Sequence, residues 1–383
     1  MDSRLFIALT FAGLSAVSLA FVAYPYIFYP AILRRVPKKA LAVRDEPEAP
    51  APTVSLLFCA FNEEHSLSAK IENLRALKAA RSDLQILAYD DASTDGTFEL
   101  LNKASDVLTV VRGSARAGKA SGMKELVRTA QGEILVFTDA NVLLAPDAID
   151  RLISCYGDPS VGGVCGNLVY TAERESVTSW TGAVYWRLDE TLRSLESETG
   201  NVIGADGSLF SVRRSLYPDF PDTVLDDFTV SMNVIFQGRR LIKAPDAFAY
   251  ENSVARRSDE LRRKVRIGTR AYHTHLFLEP QLRRMSRLDK FKYISRKLLR
   301  WYGGIFIAAA GLFGLAAITA LSPSAGAAMT LAVIALIIGS ARMVSGPLAR
   351  LADIVLAIFA TLIGVFKAMR GDIVATWEPA KSR

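Results

Sequence analysis

Apolar positions along this chain follow two regimes, long unbroken runs near both ends and short runs in the middle. Residues 5–29 are apolar almost throughout. Residues 302–321 carry no charge, and apolar stretches at 325–341 and 351–366 follow closely. Roughly 20 apolar residues span a bilayer core, so the first two runs predict membrane-crossing helices and the last two are shorter candidates. A cleaved leader is disfavoured for residues 5–29. The run is long, and it ends in aromatics and Arg34-Arg35 instead of a small-residue cleavage site.

In the middle, strand-like runs alternate with helix-like periodicity. "TVSLLFCAF" predicts a strand and is followed by a helix over about 66–80. "LQILAYDD" predicts a strand, with a helix opening at Asp95-Gly96-Thr97. "LTVVRG" is a short strand before a helix through Gly122 to Thr129. "EILVFTDA" is the next strand, with a helix starting near Pro146. Strands alternating with helices predict an α/β fold whose parallel sheet is joined by crossover helices. Ligands of such sheets bind beyond the carboxyl ends of the strands. Residues 40–53, rich in Pro, Ala and acid, read as a linker leaving the membrane. The resulting division is a transmembrane segment (1–32), a linker (33–52), a catalytic domain (53–285), an amphipathic helix (286–301), a second membrane region (302–369) and a tail (370–383).

Charge adds an orientation. Lys and Arg number 46 against 39 Asp and Glu, a net charge of +7. The surplus flanks the apolar runs, at Arg34, Arg35, Lys38 and Lys39 and again between residues 256 and 300. Positive flanks mark the cytoplasmic side, so the middle region is expected there, on an inner membrane crossed more than once. Attraction to anionic headgroups accounts for the basic residues. Nucleic acid is set aside as a partner, because no reader motif accompanies them. Cys59, Cys155 and Cys165 form no CxxC pair and stand in apolar contexts, which predicts small buried thiols in a reducing compartment.

The strand ends carry the candidate chemistry. The first ends in Phe61-Asn62-Glu63-Glu64, the second in Asp90-Asp91 before Ala92-Ser93-Thr94-Asp95-Gly96, and the fourth in Asp139-Ala140-Asn141. Acids and amides from separate strands therefore converge on one rim. Such a rim suits a hard divalent cation, Mg²⁺ or Mn²⁺, holding a phosphate-bearing ligand. No GxxxxGK[ST] loop occurs, but "GSARAGKASG" offers Arg116 and Lys119 to a diphosphate.

"CAFNEE", "YDDASTDGT", "GKASGMKE" and "FTDAN", in this order, resemble the GT-A domain of family 2 glycosyltransferases, inverting enzymes that use nucleotide-sugars. "YWRLDETLRSLES", "GADGSLFSVRRSLY" and "LDDFTVSMNVIFQGRRLIKAPDAFAYE" continue the resemblance to the membrane-embedded branch, over residues 54–275. The resemblance implies a Rossmann-like mixed sheet. It places Asn62, Glu63, Glu64 and Lys119 on the donor and Asp91 on the nucleoside, a UDP-sugar being the leading expectation. Asp139 matches the first carboxylate of a DxD motif near ribose and metal, and Asn141 replaces the second, so its carbonyl would ligate without charge. Asp227 matches the base of the "ED" motif, with Asp226 in the Glu position. A carboxylate there accepts the acceptor hydroxyl's proton, while metal and cationic side chains stabilise the departing diphosphate.

Asp206, in "GADGS", is an acceptor-side candidate, and Trp186 is either an acceptor platform or a core residue. The QxxRW motif of processive members is missing. Arg266 and Arg270 stand in its region as diphosphate contacts, and the absent Trp argues against processivity. "SRLDKFKYISRKLLRW", residues 286–301, alternates bases with apolar residues and predicts an interfacial helix on the inner leaflet. Three C-terminal crossings would put the tail outside, against Lys367, Arg370, Lys381 and Arg383, so residues 348–366 are expected not to cross. The sequence thus predicts a membrane-anchored, metal-dependent inverting hexosyl- or N-acetylhexosaminyltransferase acting on a cell-surface polysaccharide or lipid-linked acceptor. A processive synthase and a catalytically weak scaffold are the alternatives.

Overall fold

A computed structural model describes residues 2–41, 51–171, 177–252, 257–340, 346–373 and 376. Most of the linker (42–50) and the last tail residues lie outside the described residues.

In chain order, α1 (Ser3–Ala23) and α2 (Phe28–Leu33) precede β1 (Val54–Ala60), α3 (Glu64–Ala80), β2 (Gln85–Asp90) and α4 (Thr97–Lys103). β3 (Thr109–Arg112), α5 (Lys119–Thr129), β4 (Ile134–Thr138), β5 (Leu143–Leu144) and α6 (Ala148–Ser154) follow. Then come β6 (Val161–Thr171), α7 (Val177–Glu198), β7 (Leu209–Arg213), α8 (Asp226–Phe236) and β8 (Arg240–Asn252). The chain closes with α9 (Arg257–Leu282), α10 (Arg287–Tyr293), a π-turn (Ile294–Leu298), α11 (Leu299–Trp301), α12 (Gly303–Leu321), α13 (Pro323–Ser340) and α14 (Pro347–Met369).

The strands form one mixed sheet in the order β3-β2-β1-β4-β7-β6-β8-β5. β3, β2, β1 and β4 are parallel; β1, β2 and β4 are apolar runs covered on both faces, and β3 is a short, half-exposed edge strand. β7 then pairs antiparallel to β4 and to β6, which makes the sheet mixed. Side chains alternate across β1. Leu56 and Phe58 join α3, α4 and α6 on one face, and Leu57 and Cys59 join α5, α8 and α9 on the other. Cys59 and Cys165 are buried, and the three cysteines are free thiols. The β1, β2 and β4 carboxyl ends open on one rim, as in other α/β sheets.

Three features of the membrane region bear on what the sequence predicts. The first apolar run does not continue as one helix to residue 29. α1 stops at Ala23, just before Pro25, and α2 packs against the catalytic domain, with Tyr29 and Leu33 buried beside Leu192. The Tyr29 hydroxyl donates to Glu196 at 2.6 Å, a polar anchor that a lipid-facing helix would lack.

Secondly, residues 348–366, expected not to cross, belong to α14. That is one of three helices, with α1 and α12, long and apolar enough to cross a membrane. α14 nonetheless lies against α9, where a Cβ on Gly364 would meet the Val265 carbonyl at 2.4 Å, and Asp353 pairs with Arg257. The third apolar stretch supplies only a shorter apolar helix, Pro323–Ala335.

Thirdly, two of the bases of residues 286–301 are turned inward, while Arg287 stays exposed. Lys292 and Arg296 are 0% and 2% exposed. Lys292 donates to the carbonyls of Glu196 and Asn201. Arg296 bridges Glu196 at 2.6 Å and Asp189 at 2.9 Å, and Arg300 also binds Asp189. Period alone cannot tell a base that faces headgroups from one that faces buried acids. Here α7 supplies the acids, and the Arg296, Arg300 and Arg193 guanidinium groups hold the Asp189 carboxyl well below its usual range despite burial.

Candidate active site

The rim gathers side chains from four elements. Asp139 leaves the carboxyl end of β4, and the Lys119 ammonium, from the first turn of α5, donates to it at 2.5 Å. Gly118 caps that helix at φ +92, a conformation open to glycine at no steric cost. From across the sheet, the loop before β7 brings Gly207 against the pair. A Cβ there would stand 2.8 Å from Lys119 Nζ, 3.5 Å from an Asp227 oxygen and 3.7 Å from an Asp139 oxygen. The absent side chain therefore leaves a space shared by all three groups. Asp226 and Asp227 open α8, where the Asp227 carboxylate accepts from the Phe228 amide at 2.7 Å.

Electrostatics differ across this cluster. Burial, with Asp226 beside it, raises the Asp227 carboxyl from the ordinary 3.8 to about 6, against the opposing pull of Lys119, the Phe228 amide and Arg270. Lys119 is held protonated far above neutrality because Asp139, Asp226 and Asp227 outweigh its burial. Arg270 is buried on α9 and donates to the Val224 carbonyl at 3.3 Å, fixing the turn that delivers Asp226 and Asp227.

The other expected donor residues stand one layer behind. Asp91 is buried and accepts from the backbone amides of Ala117, at 2.8 Å, and Gly118, at 3.0 Å. It is the post from which the Arg116–Lys119 loop hangs. The Arg116 guanidinium lies 3.6 Å over the Phe61 ring. Asn62 holds φ +52 and accepts from the Thr94 amide at 2.9 Å, while Glu64 accepts from the Gly96 amide at 3.1 Å. This amide and this acid brace the β2–α4 turn against the end of β1.

Three expected residues are not in the cluster. Asp206 faces α7, bound to Arg193 at 2.6 Å and to Ser208. Trp186 packs α7 on the sheet, its indole N–H donating to the Leu168 carbonyl at 2.9 Å, its ring edge-on to Tyr170 and its face under Arg193. With its polar atom and face used inside the protein, it is not an open stacking platform. Arg266 lies partly buried on α9, one turn before Arg270.

One residue was missed. Glu251, near the end of β8, accepts from the Asn141 amide at 3.0 Å, so the position where a second acid was expected is tied to one 110 residues away. No local pattern signals that pairing. The close backbone approach that "GADGS" announces falls at Gly207.

Among the described residues no three acid, imidazole or thiolate groups converge as a closed metal cage. Mg²⁺ and Mn²⁺ rarely need one, because substrate phosphates complete their coordination. The Lys119 ammonium between Asp139 and Asp227 shows that this space accepts positive charge. Asn141, its amide nitrogen held by Glu251, has Oδ1 left with which to meet a cation. The donor set fits such an ion.

The same space yields a prediction. In Gly207→Ala the flexible end of Lys119 must move, which the fold tolerates but the Lys119–Asp139 pair does not. Nucleotide-sugar turnover should fall on the order of a hundredfold, the penalty of an ångström-scale misplacement. The unfolding midpoint by scanning fluorimetry should stay near the wild-type value.

Residues 55–220 match the glycosyl transferase family 2 model. An N-acetylglucosaminyltransferase of Azorhizobium caulinodans is 28% identical over 169 residues, 43% of this chain and 43% of that one. A beta-monoglucosyldiacylglycerol synthase of Nostoc is 33% identical over 118 residues, 30% of this chain and 25% of that one. The chain therefore spans less than half the length of these curated relatives. A solved mannosyltransferase from Pyrobaculum calidifontis, in complex with GDP-Man and Mn²⁺, superposes with a TM-score of 0.71 at 22% identity. That superposition covers 94% of this chain and 99% of that one, flanking helices included, and at this identity it is a likeness of fold. Residues 55–220, carried on a GT-A-like mixed sheet, thus form a region that matches glycosyl transferase family 2.

Proposed function

We propose that this chain is a membrane-anchored transferase that moves a sugar from a nucleotide-sugar to an acceptor at the membrane face, inverting the anomeric carbon. The observation that carries the reading is the meeting of Asp139, Lys119 and Asp227 over Gly207. That space has a cationic group for a leaving diphosphate and a carboxylate near enough to serve an incoming nucleophile.

The transfer is a single displacement. The acceptor oxygen forms a bond to the anomeric carbon as the bond to the diphosphate oxygen breaks. Asp227 takes the acceptor's proton, and its raised pKa suits a base working near neutrality. Lys119 neutralises the departing diphosphate. A Mg²⁺ or Mn²⁺ ion held by Asp139 and Asn141 would add Lewis-acid stabilisation of the same oxygens. Asp91, Asn62 and Glu64 hold the loops around the nucleoside end, and Arg270 holds the turn that presents the base. The catalytic domain lies on the cytoplasmic side, with Arg34, Arg35 and Lys38 beside the first span.

The test is nucleotide release by the purified full-length protein against a panel of nucleotide-sugars, with Mn²⁺ and a membrane lipid extract. One donor should stand out, and its product should carry one added sugar of inverted configuration. A ladder of products would favour the processive alternative, and no release from any donor would favour the scaffold. The pH profile follows from the sign of the Asp227 shift. The base works ionised, so kcat should climb with pH through about 6 and level above it. A profile flat from pH 5 to 7, or one falling with pH, would remove Asp227 from the mechanism.

A further inference from the structure

We propose that Asp206 is a positioning residue for the transfer, holding the Gly207 turn against the Asp227 carboxylate by anchoring it to Arg193 of α7. The proposal rests on the transferase reading above and adds a residue on which its geometry depends.

Gly207 has no side chain with which to fix itself, so its neighbours decide where it stands. On one side the Ala205 amide donates to the Ser231 hydroxyl at 2.9 Å, and Ser231 is buried on α8, one turn after Asp227. On the other side the Thr138 hydroxyl donates to the Ser208 carbonyl at 2.8 Å, and Thr138 directly precedes Asp139. Both shoulders of the turn are thus fastened to the elements that carry Asp227 and Asp139. Asp206 closes the turn itself. One of its oxygens accepts from the Ser208 amide at 3.1 Å and from the Ser208 hydroxyl, bridging over Gly207. The other accepts from Arg193 at 2.6 Å.

Arg193 is a fixed post. It is buried on α7, bound to Asp189 at 2.9 Å, with its guanidinium 5.3 Å from the centroid of the Trp186 ring. Asp189 in turn binds Arg296 and Arg300. Asp206 and Trp186, both expected on the acceptor side, therefore meet at one guanidinium and set the turn from behind.

The turn matters to the base because a Cβ on Gly207 would stand 3.5 Å from an Asp227 oxygen, so this backbone helps to keep water off the carboxylate. The charged groups that face Asp227 are Asp226 on its own helix, Lys119 of α5 and Arg270 of α9, with Asp139 of β4 across the Gly207 space. Burial is the largest cause of its raised pKa, so a displaced turn would lower that pKa.

The experiment uses the purified full-length protein with Mn²⁺ and whichever of UDP-glucose, UDP-N-acetylglucosamine and GDP-mannose releases nucleotide fastest. Asp206→Asn keeps an oxygen for the Ser208 amide and loses the ion pair, so kcat should fall about tenfold, the scale of one charge-assisted hydrogen bond. Asp206→Ala also opens the turn, so kcat should fall about a hundredfold. In Asp206→Ala the pH midpoint for the rise of kcat should move below the wild-type value of about 6, and in Asp206→Asn it should stay there. Calorimetric titration with UDP or GDP should give near wild-type affinity in both variants, because the loss lies in the transfer step. Arg193 keeps Asp189, so each variant should unfold in one cooperative transition. If Asp206→Ala does not, Asp206→Asn decides alone by its kcat. Wild-type kcat in the variants would overturn the role of Asp206. An equal drop of the pH midpoint in both would assign the effect to lost charge and overturn it too, as would a fall in nucleotide affinity that matches the fall in kcat. A wild type that releases nucleotide from no donor sinks the transferase reading, whereas an active wild type matched by its variants sinks only the role of Asp206.

Discussion

Asp227→Asn should lower kcat by about 10²–10⁴ while leaving donor affinity near wild type, the range that a positioned general base contributes. Asparagine keeps the shape of the side chain and the carbonyl that accepts from the Phe228 amide. What it loses is the ability to take a proton. Lys119 keeps Asp139 as its partner, so the diphosphate end is left in place. The substitution should not weaken the fold. The folded state raises the Asp227 pKa, so it binds that proton more tightly than the unfolded chain does. The stabilisation this gives is present at low pH and is lost as pH rises from about 4 to about 6. At pH 7 the charged carboxylate is therefore a burden on the fold, and the neutral amide relieves it. An unfolding midpoint equal to or above wild type, joined to the fall in kcat, separates a base from a structural acid. Equal kcat in the two proteins would refute the assignment.

Arg296→Leu should reduce stability by about 3–5 kcal/mol, the loss expected when one partner of a buried ion pair is removed. Arg296 is almost wholly buried and spans two acids of α7. Asp189 would retain Arg193 and Arg300. Glu196, fully buried, would retain only the Tyr29 hydroxyl and the Ile203 amide. The double variant Glu196→Gln, Arg296→Leu should recover part of the loss, because the stranded charge is gone. This network joins α2, α7 and the helix that leads into α12. Its rupture should therefore loosen the catalytic domain from its membrane segments, read as protease cleavage between them. A midpoint unchanged in Arg296→Leu would mean that water already reaches the network.

The parts legible in the sequence share a physical cause. β1 and β4 are covered on both faces, so their apolar runs are continuous and their ends fall where Asn62 and Asp139 begin. The polar rim was legible for the same reason, since acids and amides directly after a buried strand have one place to go. What stayed hidden depends on tertiary partners. Lys119 and Asp139, 20 residues apart, meet only because β1 and β4 are neighbours in the sheet. Asn141 and Glu251 meet only because β5 pairs with β8. Asp206 looked like a free acceptor-side acid, yet it serves Arg193. Tyr29 looked like the end of a membrane span, yet its hydroxyl is committed to Glu196. In both cases the composition of a segment was read correctly and its partner was not.

In the proposed reaction the rim where Asp139, Lys119 and Asp227 meet holds the donor through its diphosphate and a divalent ion. Calorimetric titration of the preferred nucleoside diphosphate into the full-length protein, with and without Mn²⁺, tests it most directly. In the wild type Mn²⁺ should tighten binding by about tenfold or more, as charge neutralisation by a coordinated ion implies, and in Asp139→Ala it should not. Equal Mn²⁺-dependent binding by both proteins would contradict the claim and place the nucleotide elsewhere.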